Sequence, residues 1–190
     1  MTRVAPPSRP AARWLIPGIV AVALLQTAAL GKMVTDRAAL LRDGFEVVLE
    51  TGAIDPRDLF RGHYAILNLA ITRLDKGDVT VDPALASGAP VYVTLTAGED
   101  GYWQAQGLFA APPDSTTPVL KGVFEYEIDQ QLILSFPFDR YFAPEDRALE
   151  LEALDRADRM GVILALDGKG NGAIKGLMID GTLVYEEPLF

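Results

Sequence analysis

Residues 91–109 read VYVTLTAGEDGYWQAQGLF, and this stretch decides the fold. Val91, Val93 and Leu95 alternate with Tyr92, Thr94 and Thr96, the period of two that turns every second side chain of a strand to one face. Gly98–Gly101 supplies a four-residue connection, and Tyr102–Phe109 returns as the second arm of a hairpin.

The same grammar continues in both directions. Ala110–Pro118 holds three prolines and reads as a loop. Val119–Ile128 and Leu132–Phe136 form a second hairpin around Asp129-Gln130-Gln131. Val162–Leu166, Ala173–Ile179 and Leu183–Glu186 are three more strands, joined by Asp167–Gly172 and by Asp180-Gly181, a two-residue type I′ candidate. Upstream, Phe45–Glu50 is β-prone. Tyr64–Thr72 alternates, with Ala65, Leu67, Leu69 and Ile71 on one face, and predicts a half-buried strand. Residues 75–90, with two prolines and two glycines, read as a loop. Pro144-Glu145-Asp146 ahead of RALELEALDRA has the composition of a helix first turn and a short helix. Eight or nine strands with one short helix predict a mainly β domain over residues 44–190, an antiparallel sandwich or barrel-like arrangement rather than βαβ units.

Ahead of this domain lies WLIPGIVAVALLQTAAL, Trp14–Leu30, apolar except for Gln26 and Thr27. Extended through Val34 it reaches about 20 residues, the length that crosses ~30 Å of hydrocarbon as a helix. Pro17 sits near its start, where a missing N–H matters least. Arg3, Arg9 and Arg13 precede it with no acid, so the positive-inside rule predicts a cytoplasmic tail over 1–13, a signal-anchor helix over 14–34 and the bulk of the chain outside the cytoplasm. A cleaved signal peptide is the alternative, because Thr27-Ala28-Ala29 offers small residues, but the apolar run exceeds the 7–15 residues of a usual h-region. Residues 35–43, TDRAALLRD, read as a juxtamembrane helical continuation with Gly44 as its stop.

Charge and cysteine content bound the chemistry. Residues 1–34 carry four basic residues and no acid, whereas the remainder carries 13 basic against 26 acidic residues, a net charge of −13. That excess repels phosphate backbones, so no nucleic-acid partner is expected. The chain contains no cysteine, which removes disulfides, thiolate zinc sites, iron–sulfur clusters and thiol nucleophiles. No cofactor or metal site is expected. His63 is the single histidine, and a lone histidine beside strand residues is more often a turn or surface residue than a base. Glu125 and Glu127 read as solvent-facing carboxylates on one strand face. Asp167–Gly172 lacks the alternating oxygen ligands of a calcium loop.

The densest turn chemistry lies in Thr51–Gly62. Asp55 before Pro56 suits an Asx-turn, and Arg57 and Arg61, four apart, are spaced to join Asp55 and Asp58 in a charge-assisted network. Gly62 permits a sharp entry into the following strand. The run Asp55-Pro-Arg-Asp-Leu-Phe-Arg-Gly-His-Tyr-Ala-Ile-Leu-Asn-Leu69 resembles the GDYXXLXY family, membrane-anchored bacterial proteins of uncharacterised function. Gly62, Tyr64 and Leu67 match the named positions, whereas His63 replaces the aspartate and Leu69 the final tyrosine. Tyr141-Phe142-Ala143-Pro144-Glu145, with Glu152 downstream, and Ala173–Leu177, with Asp180-Gly181, are similar to the same family. The resemblance implies an inner-membrane location and a fold neighbourhood, not a reaction.

Two functional expectations follow. One is a non-enzymatic accessory, anchored through residues 14–34, whose outer domain binds another membrane or periplasmic protein. The other is an extracytoplasmic hydrolase using carboxylates near the Arg57–His63 loop. Asp55, Pro56, Arg57, Asp58, Arg61, Gly62, His63, Tyr64, Leu67, Tyr141, Phe142, Pro144 and Glu145 are the candidate binding residues, and no catalytic residue is assigned.

Overall fold

The computed structural model describes residues 12–51, 65–66, 69–114, 116–138, 140–141 and 160–188. The chain divides into two compact units, Met1–Ala38 and Ala39–Phe190.

Helix α1 runs unbroken from Ala12 to Asp43 and contributes to both units. Its apolar part is long enough to cross a membrane, and none of it is buried within the chain. The expected continuation through residues 35–43 is present, and the Gly44 N–H donates to the Leu40 carbonyl oxygen at 2.9 Å to close the last turn. A β-carbon at Gly44 would sit against that same carbonyl and 3.0 Å from the Ala165 side chain, so the stop residue is glycine for lack of room. Leu41, in this last turn, is buried in the second unit.

The second unit is mainly β. Its strands are β1 (Phe45–Thr51), β2 (Ala65–Ile66), β3 (Arg73–Asp75), β4 (Thr80–Val81), β5 (Ala89–Ala97), β6 (Trp103–Phe109), β7 (Val119–Ile128), β8 (Gln131–Ser135), β9 (Arg140–Tyr141), β10 (Met160–Leu166), β11 (Gly172–Ile179) and β12 (Thr182–Glu186). Ten of them form one sheet in the order β12-β11-β10-β1-β6-β5-β7-β8-β3, with β4 alongside β6, and β2 pairs with β9 separately. One face of the sheet gathers Val47, Leu49, Val93, Leu108, Leu120 and Leu164, all fully buried, into a single core. Val91, Val93 and Leu95 face inward as the alternation requires. The sheet coils: the Lys121 N–H of β7 donates to the Gly170 carbonyl in the β10–β11 turn at 2.8 Å.

The mainly β domain expected is present, and three details of it differ. The sheet is mixed and not closed, since β1 and β4 each run parallel to β6 while every other pairing is antiparallel. Alternation reports which face of a strand is wet but not which neighbour it meets, so it is blind to β1 joining β6 across some fifty residues. The strand expected over 64–72 is β2, then a bridge at Leu69, then a 3₁₀ turn over Ala70–Thr72. Both the Thr72 N–H and the Thr72 hydroxyl donate to the Leu69 carbonyl, which fixes the turn. Leu69 and Ile71 are nevertheless buried, so the pattern holds for burial at these two positions and fails for conformation over Ala70–Thr72. The loop expected over 75–90 contains β4, a two-residue strand too short to carry a period. The short helix expected after Pro144 lies outside the described residues.

The turns follow their predicted chemistry. Asp180 and Gly181 both have positive φ, 46° and 79°, as a type I′ turn demands, and so do Asp129 and Gln130 between β7 and β8. In the Asp167–Gly172 turn the Asp167 carboxylate accepts the backbone N–H groups of Lys169 and Asn171, each at 2.8 Å, and the Asn171 side-chain amide at 2.6 Å. Partial burial pushes the Asp167 carboxyl upward, but the bonds from Asn171 and Lys169 outweigh it and hold the group below the usual carboxylate range. A folded-state value below the unfolded one contributes stability above the unfolded value, near pH 4, and that contribution is lost as pH falls through the folded value. Asp167→Ala should therefore lower stability at pH 7 by on the order of 1 kcal/mol. The gap from wild type should shrink below about pH 4. Melting temperatures measured against pH check this, and a gap independent of pH would contradict it.

Candidate functional site

The site is built from the far end of β1. This strand pairs antiparallel with β10 along its whole length, from Phe45↔Leu166 to Thr51↔Met160. α1 enters at the Phe45 end, so Thr51 marks the opposite end. Thr51 also bridges Leu69 antiparallel, and Met160 pairs with Ile179 of β11. Leu69, Thr51, Met160 and Ile179 thus form one row across four neighbouring chain segments, and all four are buried. At about 4.8 Å per step the row is roughly 14 Å wide.

The first family stretch ends in this row at Leu69. In sequence, the Asp55–Tyr64 run lies between Thr51 and β2, and Phe142–Glu145 follows β9. β2 and β9 pair antiparallel with Ala65 opposite Tyr141 and Ile66 opposite Arg140. The first and second family stretches are therefore adjacent, although some seventy residues separate them in sequence. The third reaches the same end through Asp180-Gly181, the turn that directly follows Ile179.

Of the candidate residues, Tyr141 is in β9. Asp55, Pro56, Arg57, Asp58, Arg61, Gly62, His63, Tyr64, Leu67, Phe142, Pro144 and Glu145 lie outside the described residues, as does Glu152. The buried row was not picked out from sequence. The available signal was position: Thr51 stands immediately before Gly52, where turn chemistry begins. Leu69 explains one departure from the family signature, because this position is a core position that asks for an apolar body.

The rest of the third stretch is scaffold. Ala173, Ile174 and Leu177 are buried. The Lys175 ammonium pairs with the Glu46 carboxylate at 2.6 Å, linking β11 to β1 across β10. A β-carbon on Gly176 would press on the Tyr185 carbonyl of β12.

Carboxylates elsewhere are engaged singly. A bulge between Phe124 and Tyr126 separates the surroundings of Glu125 and Glu127. Glu125 accepts the Ser135 hydroxyl, and Glu127 pairs with Lys76 at 2.8 Å. Asp82 accepts the backbone N–H groups of Ala84 and Ala110, which hold its carboxyl below the usual range and tie β4 to the end of β6. Among the described residues there is no cluster of three metal-ligating side chains.

No curated protein and no solved structure matches the chain. The GDYXXLXY protein family matches residues 26–177, from within the apolar helix to Leu177 of β11. The chain therefore belongs to the GDYXXLXY family.

Proposed function

We propose that this protein is a membrane-anchored accessory whose β domain binds another membrane or periplasmic protein through the end of the sheet marked by Thr51. The observation that supports it is the pairing of β2 with β9, which sets two family stretches side by side, the first of them ending on Leu69 in the buried row. Loops on a rigid sheet are where recognition residues are commonly held. The sequence of these stretches carries arginines at 57 and 61 and acids at 55, 58 and 145, polar groups that a protein partner can read. The arginine-flanked helix supports a cytoplasmic N-terminus and an outer domain facing the periplasm.

The test is photo-crosslinking in intact membranes. A photoreactive residue at position 63, 145 or 180 should give one and the same protein adduct, and a probe at Lys169, in a turn at the other end of the sheet, should give none. Protease added to spheroplasts should remove the adduct. Adducts independent of probe position, or an adduct shielded from protease, would overturn the proposal. So would turnover of ester or glycoside substrates by the purified protein, which is the hydrolase outcome.

A further inference from the structure

Two polar side chains interrupt the apolar run Trp14–Leu30, and the chain treats them differently. The Thr27 hydroxyl donates to the Ala23 carbonyl oxygen at 2.9 Å and is satisfied within its own helix. Beyond the run, Lys32 pairs with Asp36 at 2.7 Å. The Gln26 amide is exposed, and no described residue of this chain bonds it. At 1.5 Å per residue Gln26 sits roughly 16 Å from Leu15 and 12 Å from Val34, near the middle of the span. Its short side chain does not reach the headgroups from there, and hydrocarbon offers an amide no water.

Gln26 also lies on a seam. Leu15, Ile19, Val22, Gln26, Ala29 and Met33 recur at alternating steps of four and three residues, the a/d pattern of a coiled coil. A shallow groove along this face is lined by Leu15, Gly18, Ile19, Val22, Ala23 and Gln26. Gly18 and Ala23 leave it open to a knob from a facing helix.

We propose that α1 pairs in the bilayer with α1 of a second copy, Gln26 against Gln26. The occupant follows from the chemistry of the group. A primary carboxamide carries both donors and an acceptor, so two amides related by a twofold axis satisfy each other. Copies inserted in one orientation meet in parallel, which brings the same depth of each helix together. The Lys32–Asp36 pair is neutral within each helix, so the neighbouring surfaces do not repel. Polar residues of this kind hold membrane helices together where the hydrophobic effect gives nothing.

The inference rests on α1 spanning the bilayer, which carbonate extraction of the membranes reads separately. Release into the wash would overturn that span and the pairing with it. The native chain has no cysteine, so single cysteines report cleanly in the full-length protein. In reconstituted vesicles, Ile19→Cys, Val22→Cys and Ala29→Cys should oxidise to covalent dimers, whereas Val20→Cys, Leu24→Cys and Ala28→Cys on the other face should not. Gln26→Leu should weaken association roughly 5- to 30-fold, measured by the dilution dependence of energy transfer between labelled copies. Gln26→Asn, which keeps the amide, should retain most of it. Disulfides formed equally on both faces, or association unchanged in Gln26→Leu, would overturn the pairing.

Discussion

Replacing Leu49 by alanine should lower the stability of the β domain by about 2–5 kcal/mol. Leu49 is fully buried, lies opposite Val162 of β10, and is the residue at which β1 meets β6 at Trp103. The substitution therefore empties space where the three C-terminal strands join the rest of the sheet. The remaining wall is made of sheet, which cannot collapse freely into the gap, so the upper half of the range is expected. Leu183→Ala, at an exposed position on the edge strand β12, should fall within about 0.5 kcal/mol of wild type. Urea unfolding followed by tryptophan fluorescence measures both, Trp103 being packed against the core beside Phe45. Equal losses at the two positions would show that β1 is not the strand that unites the sheet.

The prominence of β1 is a property of topology. It is the first strand in sequence, yet it lies fourth in the sheet, between the meander β10–β11–β12 and the strands that begin with β6. Its sequence, FEVVLET, is ordinary, with Val47 and Leu49 inward and Glu46 and Glu50 outward. Nothing in those seven residues names β10 as a partner. The hairpins were legible because their information is local: alternation at Val91, Val93 and Leu95, and the left-handed preference of Gly181, each act within a few residues. Gly44 was legible as a helix stop because its tightest constraint, the Leu40 carbonyl, is local; only the added contact with Ala165 is long-range. Tyr64–Thr72 misled because apolar residues two apart can be buried by a bridge and a 3₁₀ turn as well as by a strand.

The candidate site divides in the same way. Turn chemistry and family likeness single out the Asp55–Leu69 run, but neither places Ala65 beside Tyr141 or Leu69 beside Thr51. That placement depends on register between segments far apart in the chain, for which a single sequence carries no local signal. The third stretch resembles the family but supplies no candidate residue; its strand residues are scaffold, and only its Asp180-Gly181 turn reaches the end of the sheet marked by Thr51.

The central claim is that two family stretches are joined, and one double substitution measures it. Residues directly opposite in an antiparallel pair have Cα atoms about 4.5–5.5 Å apart, inside the range a disulfide spans. Ala65→Cys with Tyr141→Cys should therefore oxidise to an intramolecular disulfide in a chain that otherwise has no cysteine. Thr96→Cys with Gln104→Cys, at an exposed opposed pair of the β5–β6 hairpin, serves as the positive control. We expect both to shift mobility on a non-reducing gel and to revert with reductant. A disulfide in the hairpin control but none between positions 65 and 141 would contradict the joining of the two stretches.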